Sequence, residues 1–251
     1  MSDFLRLTRS ISARRNRASL LFSLAALLFA AATAHAQFAV PPAGTQVLDT
    51  TALHPPAGSR VAIVEFADME CPACARANPT VMEAVAKYKN PWVRHDFVIP
   101  YHAWSPIAAV TARWFDSKSK ALGDEYRNEV FASQTSIYNP DVLRQFTEKF
   151  AKSHGVELPF SMDPQGKLAD AIKADSELGR RTGITQTPTI FVVTSNSKGA
   201  PFIEVQHPDT QLFQVIDQAL ADTSAPAKAA TAKPAAKPVS NTAAGKKPAA
   251  K

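Results

Sequence analysis

Cysteine is nearly absent from this chain, whose 251 residues include only Cys71 and Cys74. Structural zinc sites need four ligands, usually two Cys/His pairs at short spacing. No third cysteine is present. No closely spaced pair occurs among the six histidines, which are His35, His54, His95, His102, His154 and His207. The composition therefore argues against a zinc site, and we expect neither a bound metal nor a cofactor.

The central region has no excess of positive charge, although the whole chain is basic. The formal net charge of +6 divides into +4 for residues 1–36, +6 for residues 224–251 and −4 for residues 37–223. A nucleic-acid-binding domain clusters Lys and Arg on its folded surface. Because the basic residues are concentrated at the two ends, we expect no nucleic-acid partner.

The N-terminus has the pattern of a secretory signal peptide. Five arginines precede an apolar stretch over residues 18–34, and Ala34-His35-Ala36 matches an A-x-A cleavage signature. The apolar run is slightly shorter than the ~20 residues of a spanning helix. We expect residues 1–36 to be removed, with an uncleaved membrane anchor as the alternative. The folded region would then be periplasmic, in an oxidising compartment where a disulfide can persist.

Large apolar residues are almost missing from residues 224–251, which consist mainly of Ala, Lys and Pro. Such a segment cannot bury enough apolar surface to offset its conformational entropy. We predict a disordered tail, either a solvated spacer or a segment attracted to anionic surfaces of the envelope. Residues 37–223 remain as one domain of ordinary size.

The two cysteines form Cys71-Pro72-Ala73-Cys74 at the start of a predicted helix. The preceding run, residues 61–66, is short, apolar and β-branched, as expected of a buried strand. Unpaired N–H groups at a helix N-terminus stabilise a thiolate, which lowers the pKa of Cys71. Cys74, one turn later, could attack a mixed disulfide and release the bound partner. This pattern is typical of a redox-active dithiol.

A structural disulfide is the main alternative for this pair, and a chance spacing is another. The stabilisation that a disulfide provides grows with the length of the loop it closes. The loop between Cys71 and Cys74 is very short, so the spacing favours the redox-active interpretation.

The remaining pattern alternates strands and helices without an internal repeat. A β-α-β unit is followed by a largely helical stretch, then by two strands and a last helix. The strand–helix–strand order favours a parallel pair with a right-handed crossover. The boundaries we predict are strands 47–48, 61–67, 92–99, 189–193 and 202–205, and helices 72–89, 107–118, 124–132, one opened by Asn139-Pro140, one opened by Asp163-Pro164, and one over about 212–220.

This order resembles the α/β thioredoxin-like fold. A helical insertion of about residues 103–182, between the β-α-β and β-β-α halves, resembles the DsbA family of exported thiol–disulfide oxidoreductases. The resemblance covers most of residues 45–221. Its motifs are Val-Glu-Phe before the active site, Cys-Pro-Ala-Cys, Pro79 five residues after the second cysteine, and Gln186-Thr187-Pro188-Thr189.

The resemblance implies a set of site residues. Cys71 would attack, Cys74 would resolve, and Pro188 would be a cis proline facing the disulfide. Proline has no N–H, so the neighbouring backbone at Thr187 would be free to pair with an extended client peptide, with Pro72 and Ala73 beside it. Glu65 would lie buried beneath the pair, where it could relay a proton. Alternatively, Glu65 is a solvent-facing strand residue.

The dipeptide departs from that of the best-known oxidases, which often includes histidine. Ala73 can neither donate a hydrogen bond nor carry charge, so we expect a less acidic Cys71 and a less oxidising disulfide. Asp68 and Glu70 would act in the same direction by like-charge repulsion if they are near the thiol.

The expected function is a monomeric periplasmic dithiol oxidase. It would pass its disulfide to client polypeptides that contain cysteines and be reoxidised by a membrane quinone-linked partner, as the resemblance implies. One alternative is a disulfide reductase or isomerase for specific clients. Another is a non-catalytic, peptide-binding thioredoxin-like scaffold with a structural disulfide.

Overall fold

The computed structural model describes residues 44–195 and 200–224. The predicted signal peptide and the predicted tail beyond Ser224 lie outside the described residues. The elements in chain order are β1 (Val61–Ala67), α1 (Pro72–Tyr88), β2 (Trp92–Asp96), α2 (Ser105–Asp116), α3 (Lys120–Ala132), a 3-10 turn (Gln134–Ser136), α4 (Pro140–Ser153), α5 (Lys167–Thr182), β3 (Thr189–Thr194), β4 (Phe202–Glu204) and α6 (Pro208–Ser224).

The four strands form one mixed sheet in the order β2-β1-β3-β4. Strands β1 and β2 are parallel, with Glu65 opposite Arg94, while β1 pairs antiparallel with β3 and β3 pairs antiparallel with β4. Every residue of β1 and of β3 is buried, because helices cover both faces of these central strands. The predicted thioredoxin-like fold, including its parallel β1–β2 pair, is confirmed.

Alternation along β1 divides its side chains between two cores. Val61 and Ile63 pack in a cluster with Val81 of α1 and Ile216 of α6. Ala62, Val64 and Phe66 point to the opposite face and pack in a cluster with residues of β3 and Leu178 of α5. Glu65 therefore points to the same face of the sheet as Ile63, which α1 covers.

The helical insertion has its own aromatic core. The Phe115 ring centroid lies 4.9 Å from that of Tyr126 and 5.0 Å from that of Phe150. The same cluster includes Cys71 and Cys74. The cysteine segment is thus packed into the insertion, so the two halves of the fold share the site.

An ionic network joins the insertion to the sheet. Arg113 of α2 donates from Nε to Asp96 Oδ2 at 2.6 Å and from Nη2 to Asp175 Oδ2 at 2.5 Å. His95 Nδ1 lies 3.0 Å from Asp175 Oδ1. Hydrogen bonds to His95 and to the Asp96 amide, together with the Arg113 charge, hold the pKa of Asp175 below its ordinary value despite its burial. These charges fix the position of α2 and α5 against β2.

Several predicted boundaries differ from the structure, and the reasons are local. Residues 47–48 are not a strand, since Leu48 bonds to Thr182 O at the end of α5 rather than to the sheet. Strand β2 ends at Asp96. After a last bond from Phe97 N to Ala67 O, side chains bind the following amides: Ser176 Oγ accepts from Val98 N and Asp68 Oδ2 from Ile99 N. Helix α5 begins at Lys167, after a turn that Gly166 closes with φ of 72°.

The start of α4 predicted at Asn139-Pro140 is confirmed. Asn139 is the N-cap of α4, and its side chain accepts a hydrogen bond from Val142 N at 2.9 Å. Gly183 ends α5 in the left-handed conformation with φ of 98°, which glycine adopts without steric cost.

The close contact between α5 and the sheet predicts the effect of one substitution. A methyl group at Gly179 would lie 2.7 Å from Phe97 Cε2 and 3.2 Å from Phe66 Cδ1. We expect Gly179→Ala to destabilise the protein, because overpacking costs about 1–3 kcal/mol and the gain in helix propensity is at most about 1 kcal/mol. Denaturant unfolding measures the change, and Lys173→Ala on the exposed side of α5 is the control. A more stable Gly179→Ala protein would contradict the packing described.

Candidate active site

The cysteine motif lies where β1 ends and α1 begins. Cys71 is the N-cap of α1, with φ −77° and ψ 119°. Pro72 takes the first helical position, where its missing N–H removes no hydrogen bond. The Cys71 sulfur is therefore available at the helix start, where backbone N–H groups are unpaired.

Cys71 has a strongly acidic thiol. A hydrogen bond from the Cys74 thiol contributes most and burial opposes it, while the Thr187 side chain and the amides of Cys74 and Ala73 add further hydrogen bonds; together they lower the pKa of Cys71 to about 5. This acidity arises without a histidine in the dipeptide. Cys71 is therefore a thiolate at neutral pH, which is the reactive form of cysteine.

Cys74 has the opposite properties. Its side chain is 0% exposed, against 7% for Cys71. Burial, followed by the interaction with Cys71, raises the pKa of Cys74 well above its ordinary value. One acidic, slightly exposed thiol beside one buried, neutral thiol is the asymmetry that a nucleophile and a resolving cysteine require.

A groove brings the predicted substrate-binding residues to the same place. It has a volume of about 530 Å³, and its lining includes Ala73, Thr187 and Pro188. The Thr187–Pro188 peptide bond is cis, and Cys71 Sγ lies 3.3 Å from the Thr187 carbonyl oxygen. Pro72 is exposed beside them. The structure thus assembles these residues around Cys71, although they come from segments more than a hundred residues apart.

A second, larger groove lies elsewhere. It has a volume of about 770 Å³ between α2, α4 and the segment before α5, and its lining includes Ile107, Leu143 and Phe160. The lining of neither groove includes a cysteine. The smaller groove is the better candidate for the site because its lining includes Thr187, whose carbonyl oxygen lies 3.3 Å from Cys71 Sγ.

Glu65 is buried at 2% exposure, so the solvent-facing alternative is wrong. Trp92 Nε1 donates to Glu65 Oε2 at 2.9 Å, and Arg94 Nε lies 3.9 Å from the same oxygen. Burial raises the pKa of Glu65, while the Arg94 charge and the Trp92 hydrogen bond act against the rise. The Glu65 charge also contributes to the raised pKa of Cys74, which places the carboxylate within electrostatic reach of the buried thiol.

Asp68 and Glu70 differ from expectation, because backbone amides satisfy their carboxylates. Asp68 accepts hydrogen bonds from Glu70 N and Ile99 N, both at 2.7 Å. Glu70 Oε2 accepts from Trp104 N at 2.7 Å and Ser105 N at 2.9 Å. Glu70 therefore connects the cysteine segment to the start of α2, and Asp68 connects it to the backbone that follows β2. Repulsion from these acids is not among the largest influences on the pKa of Cys71.

Two residues of this site were not among those predicted. Arg94 lies opposite Glu65 in the parallel register, a pairing that alignment of the two predicted strands would have suggested. Gln134 reaches the cysteine segment from the insertion and donates to Met69 O at 2.8 Å and Cys71 O at 3.1 Å. No local pattern marks Gln134, since its partners are more than sixty residues earlier in the chain.

The shared hydrogen bond between the thiols makes a testable prediction. In the reduced protein, Cys71 should be alkylated with a rate that rises as pH passes about 5, because its thiolate forms there. Cys74→Ala removes the largest stabilising influence, so the rate should rise at a higher pH. Cys71→Ser is the control and should show almost no alkylation below pH 7. Preferential labelling of Cys74 in the wild-type protein would reverse the two roles.

Comparison with solved structures supports the fold. The α-DsbA1 protein of Wolbachia pipientis is 17% identical, with a TM-score of 0.54 over 68% of this chain and 92% of that chain. BdbD of Bacillus subtilis is 18% identical, with a TM-score of 0.52 over 71% and 98%. A periplasmic thioredoxin-like protein of Salmonella enterica serovar Typhimurium is 20% identical, with a TM-score of 0.53 over 66% and 87%.

One curated relative matches part of the chain. The Na(+)/H(+) antiporter NhaA 3 of Salinispora tropica is 28% identical over 140 residues, which is 55% of this chain. The chain spans about a fifth of that relative, 21% of its length. Among the residues that the structure describes, no helix has the length and apolarity needed to cross a membrane.

The match to a family model is stronger evidence for the family of this chain than these pairwise matches are. The model described as thioredoxin matches residues 57–206, a range that includes β1, the cysteine motif, the helical insertion and the Thr187–Pro188 segment. The chain belongs to the thioredoxin family, with a DsbA-like arrangement of the fold.

Proposed function

We propose that this protein is an exported dithiol oxidase that transfers the Cys71–Cys74 disulfide to client polypeptides. Thiol–disulfide exchange is the reaction that the family and the site support. The observation that carries the oxidase assignment is the low pKa of Cys71, about 5. A stabilised thiolate stabilises the reduced protein, and a disulfide whose reduced form is stabilised is a stronger oxidant.

The proposed reaction consists of two successive thiol–disulfide exchanges. A client thiolate attacks Cys71 Sγ of the disulfide, which breaks the Cys71–Cys74 bond and releases Cys74 as a thiolate that takes up a proton. A second client thiolate then attacks the client sulfur of the mixed disulfide. The client gains a disulfide and loses two electrons, while Cys71 leaves as the stabilised thiolate. A membrane quinone-linked partner would remove the two electrons to restore the disulfide.

The groove beside Cys71 supports an extended polypeptide as the substrate. The Thr187 backbone adjoins the sulfur, and Pro188 has no N–H of its own. An extended client segment could therefore add alongside Thr187 by main-chain hydrogen bonds, which recognise any sequence. The part of the client beside its cysteine would contact Ala73 and Pro72 on the opposite wall.

The signal-peptide pattern of residues 1–36 supports a periplasmic location. Export would place the dithiol where disulfides persist, which an oxidase needs and a cytosolic reductase does not. One solved protein of similar fold is described as periplasmic. Monomeric action is part of the proposal.

A reductase is the second candidate, and Ala73 is the observation that favours it. Ala73 brings neither a charge nor a hydrogen-bond donor to Cys71, so its side chain does not help to stabilise the thiolate. A scaffold with a structural disulfide accounts less well for the site, because a structural cysteine needs no depressed pKa.

Equilibration with glutathione separates these functions. An oxidase should have a reduction potential above about −180 mV, whereas a reductase should lie near −270 mV. The oxidised wild-type protein should also form disulfides in a reduced, unfolded client, and Cys71→Ser should not. A potential near the reductase value would overturn the oxidase assignment, and a pair that does not exchange with glutathione would indicate the scaffold.

The buried carboxylate predicts a kinetic effect. Glu65→Gln keeps an acceptor for Trp92 Nε1 but removes the charge and the proton acceptor. If Glu65 takes the proton from Cys74, release of a mixed disulfide from Cys71 should slow by about 10²-fold or more. If Glu65 acts only through its charge, release should become faster, because the pKa of Cys74 falls. Stopped-flow measurement of the release rate distinguishes the two roles of Glu65. Denaturant unfolding is the control for any loss of stability when the Glu65–Arg94 ion pair is removed.

A further inference from the structure

We propose that Gln134, at the start of the 3-10 turn in the helical insertion, is a positioning residue that controls the reactivity of Cys71. Gln134 would act through the backbone carbonyls of Met69 and Cys71, without contacting the reacting sulfur. This inference deepens the proposed thiol–disulfide exchange and rests on it.

The contacts of Gln134 are directed at one short segment. Its Nε2 donates to Met69 O at 2.8 Å and to Cys71 O at 3.1 Å, so both hydrogens of the amide are used. Met69 is 5% and Cys71 7% exposed, and their carbonyls have little access to water. Leaving a buried carbonyl unpaired is destabilising, so the Met69 carbonyl depends on the donor from the insertion.

The Cys71 carbonyl is also part of the first turn of α1. It accepts a hydrogen bond from Ala75 N at 3.2 Å as well as the bond from Gln134. Fixing this carbonyl fixes the backbone of the N-cap residue, and with it the position of Sγ relative to the Ala73 and Cys74 amides that stabilise the thiolate. The two N–H dipoles of Gln134 also direct their positive ends toward Cys71, which carries the negative charge of the thiolate.

Other hydrogen bonds also hold the cysteine segment in place, and in these the segment supplies the acceptor side chains. Glu70, one residue before Cys71, accepts hydrogen bonds from Trp104 N and Ser105 N at the start of α2. Asp68 likewise binds Ile99 N. Because these bonds do not involve Gln134, its replacement should leave the cysteine segment docked on the insertion while changing the local geometry at Cys71.

The experiment compares three variants of the full chain. Gln134→Leu removes the donor, and Gln134→Glu is nearly isosteric but directs a carboxylate at two carbonyls. Gln218→Leu is the control for the substitution itself, because the Gln218 amide donates to an exposed side chain, Asp222 on α6, outside the candidate site. The measurements are thiolate absorbance against pH and the equilibrium constant with glutathione.

We expect Gln134→Leu to raise the pKa of Cys71 and to make the disulfide less oxidising by about three- to tenfold in the equilibrium constant, the net worth of one hydrogen bond. Gln134→Glu should shift both in the same direction and by more, through like-charge repulsion of the thiolate. Gln218→Leu should match the wild-type protein in both measurements.

Two outcomes would overturn the proposal. One is a folded Gln134→Leu protein whose Cys71 pKa and glutathione equilibrium equal those of the wild type. The other, if Gln134→Leu does not fold, is a folded Gln134→Glu protein without a shift. A wild-type protein that fails to exchange with glutathione would instead overturn the proposed function, and the absorbance titration would still decide the role of Gln134.

Discussion

The hydrogen bond between the two thiols is the interaction on which the site depends. Cys74 donates to Cys71, which makes one sulfur a stable thiolate and the other a neutral thiol. Cys74 must be shielded from water, because water would compete for the hydrogen bond between the thiols. Cys71 must be accessible at the surface, because it reacts with a sulfur of another molecule. The sheet, α1 and the insertion meet where both conditions hold.

Negative charge close to Cys71 would oppose its ionisation, and the structure resolves this conflict with backbone amides. Asp68 and Glu70 precede the cysteine by three residues and one residue, yet each carboxylate accepts two amide hydrogen bonds from neighbouring backbone. Charge-assisted bonds of this kind spread the negative charge onto the protein dipoles. Two acids that the sequence places close to the thiolate thereby anchor the cysteine segment, Glu70 to the insertion and Asp68 to the backbone after β2.

A second charged pair lies beneath the dithiol. Glu65 is buried and Arg94, with 10% of its side chain exposed, is largely covered on the adjacent parallel strand. The Arg94 guanidinium carbon lies 3.9 Å from the Trp92 ring centroid. Burying an ion pair rarely adds stability, because desolvation cancels most of the attraction. A catalytic use is consistent with retaining such a pair here, since an ionisable group near a buried thiol can move a proton that water cannot reach. Ala73 brings neither charge nor a donor, so the largest influence on the pKa of Cys71 is the Cys74 thiol.

The sequence by itself determined much of this protein. Strand hydrophobicity, the Cys-Pro-Ala-Cys motif on a strand-to-helix turn and caps such as Asn139 and Gly183 are local signals, since each follows from chemistry within a few residues. Only the tertiary structure decided which distant groups meet at Cys71: Thr187, Gln134 and the backbone amides bound by Asp68 and Glu70. It also decided where β2 ends and that residues 47–48 are not a strand. Those outcomes depend on hydrogen-bond partners supplied by other elements, and no local pattern encodes a partner that only folding brings near.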